Sequence, residues 1–273
     1  MAVKLIALDL DGTTLNSDSE LTNRTKKALN EAMVRGIHVV VATGRVYSAL
    51  PDEIKSFRGI EYIITSNGAV ITEINNQEII YDNCIDEKEI DAIYKLLGSH
   101  DFMVEIFIRG RAYVEKSIMD KLEEVGLSKS SVKYIRKTRT PYENVLKLMM
   151  ENRSHIENIN VVFGNQKDRE YMREKLLLLP NVTITSSMEH NLEIGGETTS
   201  KASALLHLCK KLNVRPEEIM ACGDSPNDEA MIRLAGTSVA MGNAKDSLKK
   251  IAKHITATND EDGVALAIQK LAL

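Results

Sequence analysis

Two aspartates one residue apart, Asp9 and Asp11, sit in the segment Asp9-Leu10-Asp11-Gly12-Thr13, directly after the apolar run Val3–Leu8. Aspartate is a poor strand residue, and two carboxylates this close repel each other. A divalent cation would offset the repulsion; without one, water or hydrogen-bond donors must serve both groups. An Asx turn with Gly12 permitting a tight bend explains the same five residues equally well. Further along, Thr43-Gly44 follows a second apolar run. It offers a hydroxyl and backbone N–H groups to an anion at the start of an expected helix. Gly223-Asp224 and Asp228 follow another such run and place two more carboxylates on a loop. Taken singly, a helix cap and a turn account for these. Together, three expected strands end in acids or in a hydroxyl plus glycine, and chance clustering explains that poorly. In open α/β sheets that edge is where ligands bind.

The elements that must position these residues follow from apolar periodicity. Val3–Leu8 reads as a strand buried on both faces. Thr22 can cap a helix carrying Ala28, Leu29, Ala32 and Met33, which Gly36 can end. Ile37–Ala42 is a second strand, followed by a helical stretch to about Phe57; Tyr62–Thr65 is a third, with Ala69–Ile71 extended beyond it. This alternation predicts an α/β fold with a Rossmann-like, doubly wound parallel sheet. From about Cys84 the pattern changes. A helix around Ile90–Leu97 precedes two strands, Met103–Ile108 and Ala112–Glu115, joined by the turn Arg109-Gly110-Arg111. Further helices are expected at Ile118–Val125, from Thr140-Pro141, and at Asp168–Leu179, with strands at Ile159–Phe163 and Val182–Thr185. The α/β pattern then returns: Ser200 caps a helix, Ile219–Cys222 and Ser238–Met241 are strands, and Gly263–Leu271 is the last helix. The expectation is a core of 1–84 and 189–273 interrupted by an inserted α+β domain, 85–188.

Composition narrows the class. With 35 Lys+Arg against 39 Asp+Glu, the formal charge of −4 leaves no basic excess for binding nucleic acid through its phosphates. Hydrophobic residues at 43% supply a core, and no apolar run approaches the length of a membrane span. The N-terminus lacks a signal-peptide pattern, since Lys4, Asp9 and Asp11 interrupt its apolar stretch. The three cysteines, Cys84, Cys209 and Cys222, show neither disulfide nor zinc spacing, so a reducing cytoplasm is the default. His207 and Met149-Met150 read as packed or surface side chains rather than ligands or a docking surface.

Asp9-Leu10-Asp11-Gly12-Thr13 resembles the first signature of the haloacid dehalogenase-like phosphohydrolases. Thr43-Gly44-Arg45 is similar to the second, Lys201 to the third, and Gly223-Asp224-Ser225-Pro226-Asn227-Asp228 to the fourth. Ser66-Asn67-Gly68-Ala69, Val239–Ala244 and Asn259–Ala265 resemble stretches of the Cof-type, YidA-like subfamily, and the resemblance covers the whole chain. Ala202 and Thr198 stand where that subfamily usually has glycine, which implies a stiffer loop around Lys201.

The resemblance implies a Mg²⁺-dependent phosphatase of small phosphorylated metabolites, with sugar phosphates favoured and nucleotides, flavin mononucleotide or pyridoxal phosphate as alternatives. It implies Asp9 as the nucleophile that forms an aspartyl-phosphate, and Asp11 as general acid and then base. It also implies Mg²⁺ held by Asp9, the Asp11 backbone carbonyl, Asp224 and, through water, Asp228. Thr43, Gly44 and the Leu10 N–H would hold the phosphoryl oxygens, with Lys201 and Asn227 beside them. The insert would act as a substrate-selecting cap. Neither nucleic acid nor membrane is an expected partner, and a monomer or weak homodimer is expected. Two rivals remain: a phosphosugar mutase, which the large insert disfavours, and a non-catalytic phosphate sensor, which intact Asp9, Asp11, Lys201 and Asp224 disfavour. Arg45 and Asp262 each have two readings, substrate-facing or structural.

Overall fold

The computed structural model describes residues 2–100, 102–124 and 129–273. The chain begins β1 (Leu5–Leu8), α1 (Asn23–Val34), β2 (His38–Ala42), α2 (Asp52–Lys55), β3 (Ile60–Thr65), β4 (Val70–Glu73) and β5 (Glu78–Asp82). It continues α3 (Glu87–Leu97), β6 (Met103–Ile108), β7 (Arg111–Glu115), α4 (Lys116–Met119), α5 (Lys129–Thr138), β8 (Arg139–Tyr142), α6 (Val145–Glu151), β9 (Ile156–Val162), α7 (Gln166–Leu176), β10 (Val182–Thr185) and β11 (Asn191–Gly196). It ends α8 (Lys201–Leu212), β12 (Ile219–Gly223), α9 (Glu229–Leu234), β13 (Thr237–Ala240), α10 (Asp246–Ile251), β14 (His254–Ile255) and α11 (Gly263–Leu271). The chain divides into two compact units, Met1–Gly44 with Pro51–Tyr81 and Ser200–Leu273, and Arg45–Leu50 with Asp82–Thr199.

The first unit is the α/β part. Its sheet runs β14-β13-β12-β1-β2-β3-β4-β5. Pairing is parallel from β14 to β3, and β4 returns antiparallel to β3. Leu5, Ile6, Ala7 and Leu8 of β1 are wholly buried, as a central strand covered on both faces must be. Thr22 caps α1 by accepting from the Thr25 N–H (3.1 Å), and Gly36 follows its end at φ +78°. The buried stripe Ala28, Leu29, Ala32 faces inward.

The second unit is built on a sheet of order β10-β11-β9-β6-β7-β8, antiparallel except for the β7–β8 pair. One face is apolar: Val104, Ile106, Ile159, Val161, Leu192 and Ile194 pack with Ile90 and Ile93 of α3, Met149 of α6 and Met172 of α7. The other face is polar. Glu105, Asn160 and Glu193 stand opposite one another in register, and Asn160 Nδ2 donates to Glu105 Oε2 (2.9 Å). Arg139 closes on Glu105 with two bonds of 2.8 and 2.9 Å. The β6–β7 turn uses Arg109 (φ +47°) and Gly110 (φ +72°), as the expected hairpin requires.

Several expectations fail for identifiable reasons. No continuous helix follows Thr43-Gly44: a short 3-10 turn at Tyr47–Ala49 and the single-turn α2 are separated by Leu50, which is extended before Pro51. Thr140-Pro141 does not start a helix but lies in β8, an edge strand where proline's missing N–H is tolerated. Helix α6 begins later, capped by Asn144 accepting from the Lys147 N–H (2.8 Å). Between 116 and 124 the chain makes α4 and a 3-10 turn at Leu122–Glu124, and the expected helix end at Val125 lies outside the described residues. The elements β5, α5, β11, α10 and β14 have no counterpart in the expected series. Among these, β11 joins the second unit's sheet by pairing with β9 and β10.

Candidate functional site

All nine candidate residues fall in the first unit, at the carboxyl ends of β1, β2 and β12 and the start of α8. β1 hands the chain to a tight turn in which the Leu10 carbonyl accepts from the N–H groups of Thr13, Thr14 and Leu15. The Leu10 side chain is buried under that turn. Asp9 is 5% exposed, and its backbone N–H bonds the Cys222 carbonyl of β12. Asp11 beside it is exposed. The turn needs Gly12: φ is +73°, and a Cβ there would stand 2.8 Å from Asp224 Oδ2.

Lys201 is the first residue of α8, behind the Ser200 cap, and its side chain is 0% exposed. Its Nζ donates to Asp9 Oδ1 and to Asp228 Oδ1, each at 2.6 Å. Asp228 is also fully buried, and its Oδ2 accepts from the N–H groups of Asp224 (2.9 Å) and Ser225 (3.0 Å). Asp224, half-buried, is held from two sides: Thr13 Oγ1 donates to Oδ1 and Ser225 Oγ to Oδ2, both at 2.9 Å. Ligand-capable oxygens of Asp9, Asp224 and Asp228 lie within 4.8 Å of one another. The structure thus brings together four residues drawn from opposite ends of the sequence.

The electrostatics are unbalanced. Burial is the largest influence on Asp9 and pushes its carboxyl well above the usual range; Lys201 opposes this, while Asp228, Asp224 and Asp11 push it further up. Burial and then Asp228 raise Asp224, against its two hydroxyl donors and Lys201. Burial works against the charge on Lys201, but Asp228 and Asp9 outweigh it and hold the ammonium above its ordinary value.

Thr43 is buried at the end of β2, its N–H bonded to Ile64 O (2.9 Å) and its carbonyl accepting from the Asn67 N–H (3.0 Å). A Cβ on Gly44 would stand 3.0 Å from Asn67 Oδ1 and 3.6 Å from Asn227 Nδ2, so both amides lie against this glycine. Asn227 Nδ2 donates to Asn67 Oδ1 (3.0 Å).

Thr13 and Ser225 lie inside the signatures and have no task assigned from sequence; they orient Asp224. Asn243 also acts here, donating to the Gly12 carbonyl (2.8 Å). A short polar residue near each acid is the signal that could mark the first two. Other candidates are structural. Arg45 donates to Ala49 O (3.0 Å) and lies over the Tyr134 ring within the second unit. Asp262 accepts from Thr22 Oγ1 (2.5 Å), tying α11 to the cap of α1. His207 lies against the Tyr81 ring, tilted to it with centroids 4.6 Å apart, and Met149 is core.

The family model described as haloacid dehalogenase-like hydrolase matches residues 6–268. The chain is similar to phosphatase YwpJ of Bacillus subtilis, 33% identical over 98% of this chain and all of that one. It is also similar to the 5-amino-6-(5-phospho-D-ribitylamino)uracil phosphatase YcsE of the same organism, 32% identical over 99% and 96%. A solved haloacid dehalogenase-like hydrolase from B. subtilis superposes with a TM-score of 0.87 at 32% identity, covering 98% of this chain and 100% of that one. A subclass IIB sugar phosphatase, BT4131, shares the fold at a TM-score of 0.80 and 22% identity, each chain covered to 98%. With β1, β2 and β12 delivering the signature residues to one edge of a parallel sheet, this chain belongs to the haloacid dehalogenase-like hydrolase family.

Proposed function

We propose that the chain is a Mg²⁺-dependent phosphatase of small phosphorylated metabolites, sugar phosphates first among them, working through a phosphoryl group carried on Asp9. The observation that carries this reading is the charge imbalance around Lys201. Asp9, Asp224 and Asp228 set three carboxylates against one ammonium, and the excess is what a divalent cation offsets. The donor set fits Mg²⁺, a hard cation that takes carboxylate and carbonyl oxygens and keeps several waters. Asp9 and Asp224 would hold the ion directly, with the Asp11 backbone carbonyl as a third oxygen. Asp228 is fully buried, with Oδ1 taken by the Lys201 ammonium and Oδ2 by two backbone N–H groups, whereas half-buried Asp224 is bonded only by hydroxyls, so Asp228 is the one suited to act through water. Bound there, the metal would neutralise phosphoryl charge and align the ester with Asp9.

The chain's own residues do the rest. Lys201 fixes Asp9 through Oδ1, which leaves Oδ2 to attack phosphorus. As the new O–P bond forms, the ester O–P bond breaks and the leaving oxygen takes a proton from Asp11. Asp11 then removes a proton from water, which attacks the phosphoryl group and frees the Asp9 carboxylate. Exposure suits Asp11 to this exchange, because it must trade protons with substrate and solvent. Thr43, Gly44, the Leu10 N–H and Asn227 would hold the phosphoryl oxygens. The inserted domain expected at 85–188, which falls within the second unit, would select substrate. We assign the enzyme to the cytoplasm, as a monomer or weak homodimer. Full-length similarity to named phosphatases supports the reading; among the described residues, no helix is long and apolar enough to cross a membrane.

The test is phosphate release from a panel of sugar phosphates, ribityl phosphates, nucleotides and pyridoxal phosphate, with Mg²⁺ and with chelator. Metal-dependent release from a few members is expected. Silence across the panel with retained ligand binding would replace the reading with a sensor, and phosphoryl return to a sugar would replace it with a mutase.

A further inference from the structure

Ser66-Asn67-Gly68 stands out in sequence and takes no part in the chemistry above, yet it holds the only two adjacent non-glycine residues at positive φ among the described residues. Ser66 (φ +51°) and Asn67 (φ +58°) are consecutive left-handed residues without the freedom of glycine, and both are buried. The turn is pinned on three sides. The Asn67 N–H bonds the Thr43 carbonyl, and Asn67 Oδ1 takes a hydrogen from Asn227 Nδ2 (3.0 Å). Gly68 lies so close to Ser200 that a Cβ would stand 2.1 Å from its carbonyl oxygen, one residue before Lys201. Meanwhile Asn227 Oδ1 is buried with no hydrogen-bond partner among the described residues. An orphaned buried acceptor is costly and marks a place where a ligand or water completes the bonding.

We propose that Asn67 is a positioning residue for phosphate: by holding one Nδ2 hydrogen of Asn227, it fixes how Asn227 presents its other Nδ2 hydrogen and its Oδ1 to the substrate. The Nδ2 hydrogen suits a phosphoryl oxygen. Oδ1 can only accept, so its partner must carry hydrogen, as water or a protonated phosphoryl oxygen does. Asparagine fits position 67 because it tolerates the left-handed backbone and supplies the acceptor. This inference rests on the phosphatase reading.

The test is a double-mutant cycle in the full chain on p-nitrophenyl phosphate, with Asn67→Gly, Asn227→Ala and the pair. Glycine adopts the left-handed backbone freely, so the Asn67→Gly unfolding temperature should hold or rise while kcat/KM falls about tenfold, the effect of one hydrogen bond. The pair should lose no more than Asn227→Ala alone. Additive losses, or wild-type kcat/KM in Asn67→Gly, would overturn the proposal. If that variant fails to fold, Asn67→Asp keeps the backbone and the acceptor but adds charge. KM for substrate and the inhibition constant of inorganic phosphate should then rise together at retained kcat, and unchanged values refute the placement. Should the wild type release no nitrophenol, the phosphatase reading falls; protection against unfolding by inorganic phosphate, compared across the same variants, still decides the Asn67–Asn227 coupling.

Discussion

Each unit buries a cation against carboxylate, but the two arrangements differ in kind. In the second unit Arg139 meets Glu105 through a two-bond fork, with side-chain exposures of 8% and 1%. Its guanidinium also lies over the rings of Tyr134 and Phe107. Within that pair the donors meet acceptors and the two charges cancel. In the first unit Lys201 faces Asp9 and Asp228 at equal distance with Asp224 close by, and the sum is negative. A balanced pair is complete as it stands and serves structure. An unbalanced cluster is a cost carried by the fold until something positive arrives.

Substitution of Asp9 should break this contrast most sharply. Asp9→Asn is expected to lower phosphate release by at least about 10³-fold. The same change should raise the unfolding temperature of metal-free protein, because it removes a carboxylate that its surroundings hold in disfavour. Chelator-treated samples followed by calorimetry check this; a fall would mean that the Lys201 contact outweighs burial and repulsion. The mirror experiment is Arg139→Met, which strands Glu105 in the sheet and should destabilise the chain by about 3–5 kcal/mol in urea unfolding. Adding Glu105→Gln should restore much of that loss. No such rescue would show that the ring contacts, not the charge pair, set the cost. The smallest effect concerns the periphery. Glu218, bonded by Arg215 and Lys4, is held down at about 2. Its folded value lies below its unfolded one, so its contribution is full near neutrality and fades as pH falls through the acid range toward that value. Glu218→Gln should flatten that part of the stability–pH curve, read by thermal melts from neutral pH downward.

The two units are unequally legible in sequence. β1 and β12, and β2 from Val39 onward, are buried on both faces, so each is an apolar run that announces itself. β8 and β11 do not: Arg139-Thr140-Pro141-Tyr142 hides an edge strand behind a proline, and Asn191–Gly196 mixes Asn, Glu and Gly because one face carries polar partners. β5, Glu78-Ile79-Ile80-Tyr81-Asp82, sits at a sheet edge with much of its surface exposed, which blurs the pattern. At the site, the acids and the lysine are visible as residue types at strand ends and a helix start. The fork of Lys201 between Asp9 and Asp228 is not, because it depends on how far α8 advances toward β1. Nor is the amide pair of Asn67 and Asn227, whose partners stand 160 residues apart.

The central pairing of β1 with β12 has a consequence for how the protein is made. Leu5 stands beside Ile219, so the middle of the first sheet stays open until most of the chain has been synthesised. The second unit is largely one continuous stretch and can gather its long contacts earlier. Lys201, Asp224 and Asp228 leave the ribosome after it, and Asp9 waits for all three. A nascent chain therefore holds no assembled Asp9–Lys201–Asp228 cluster until α8, β12 and the turn after it have joined β1.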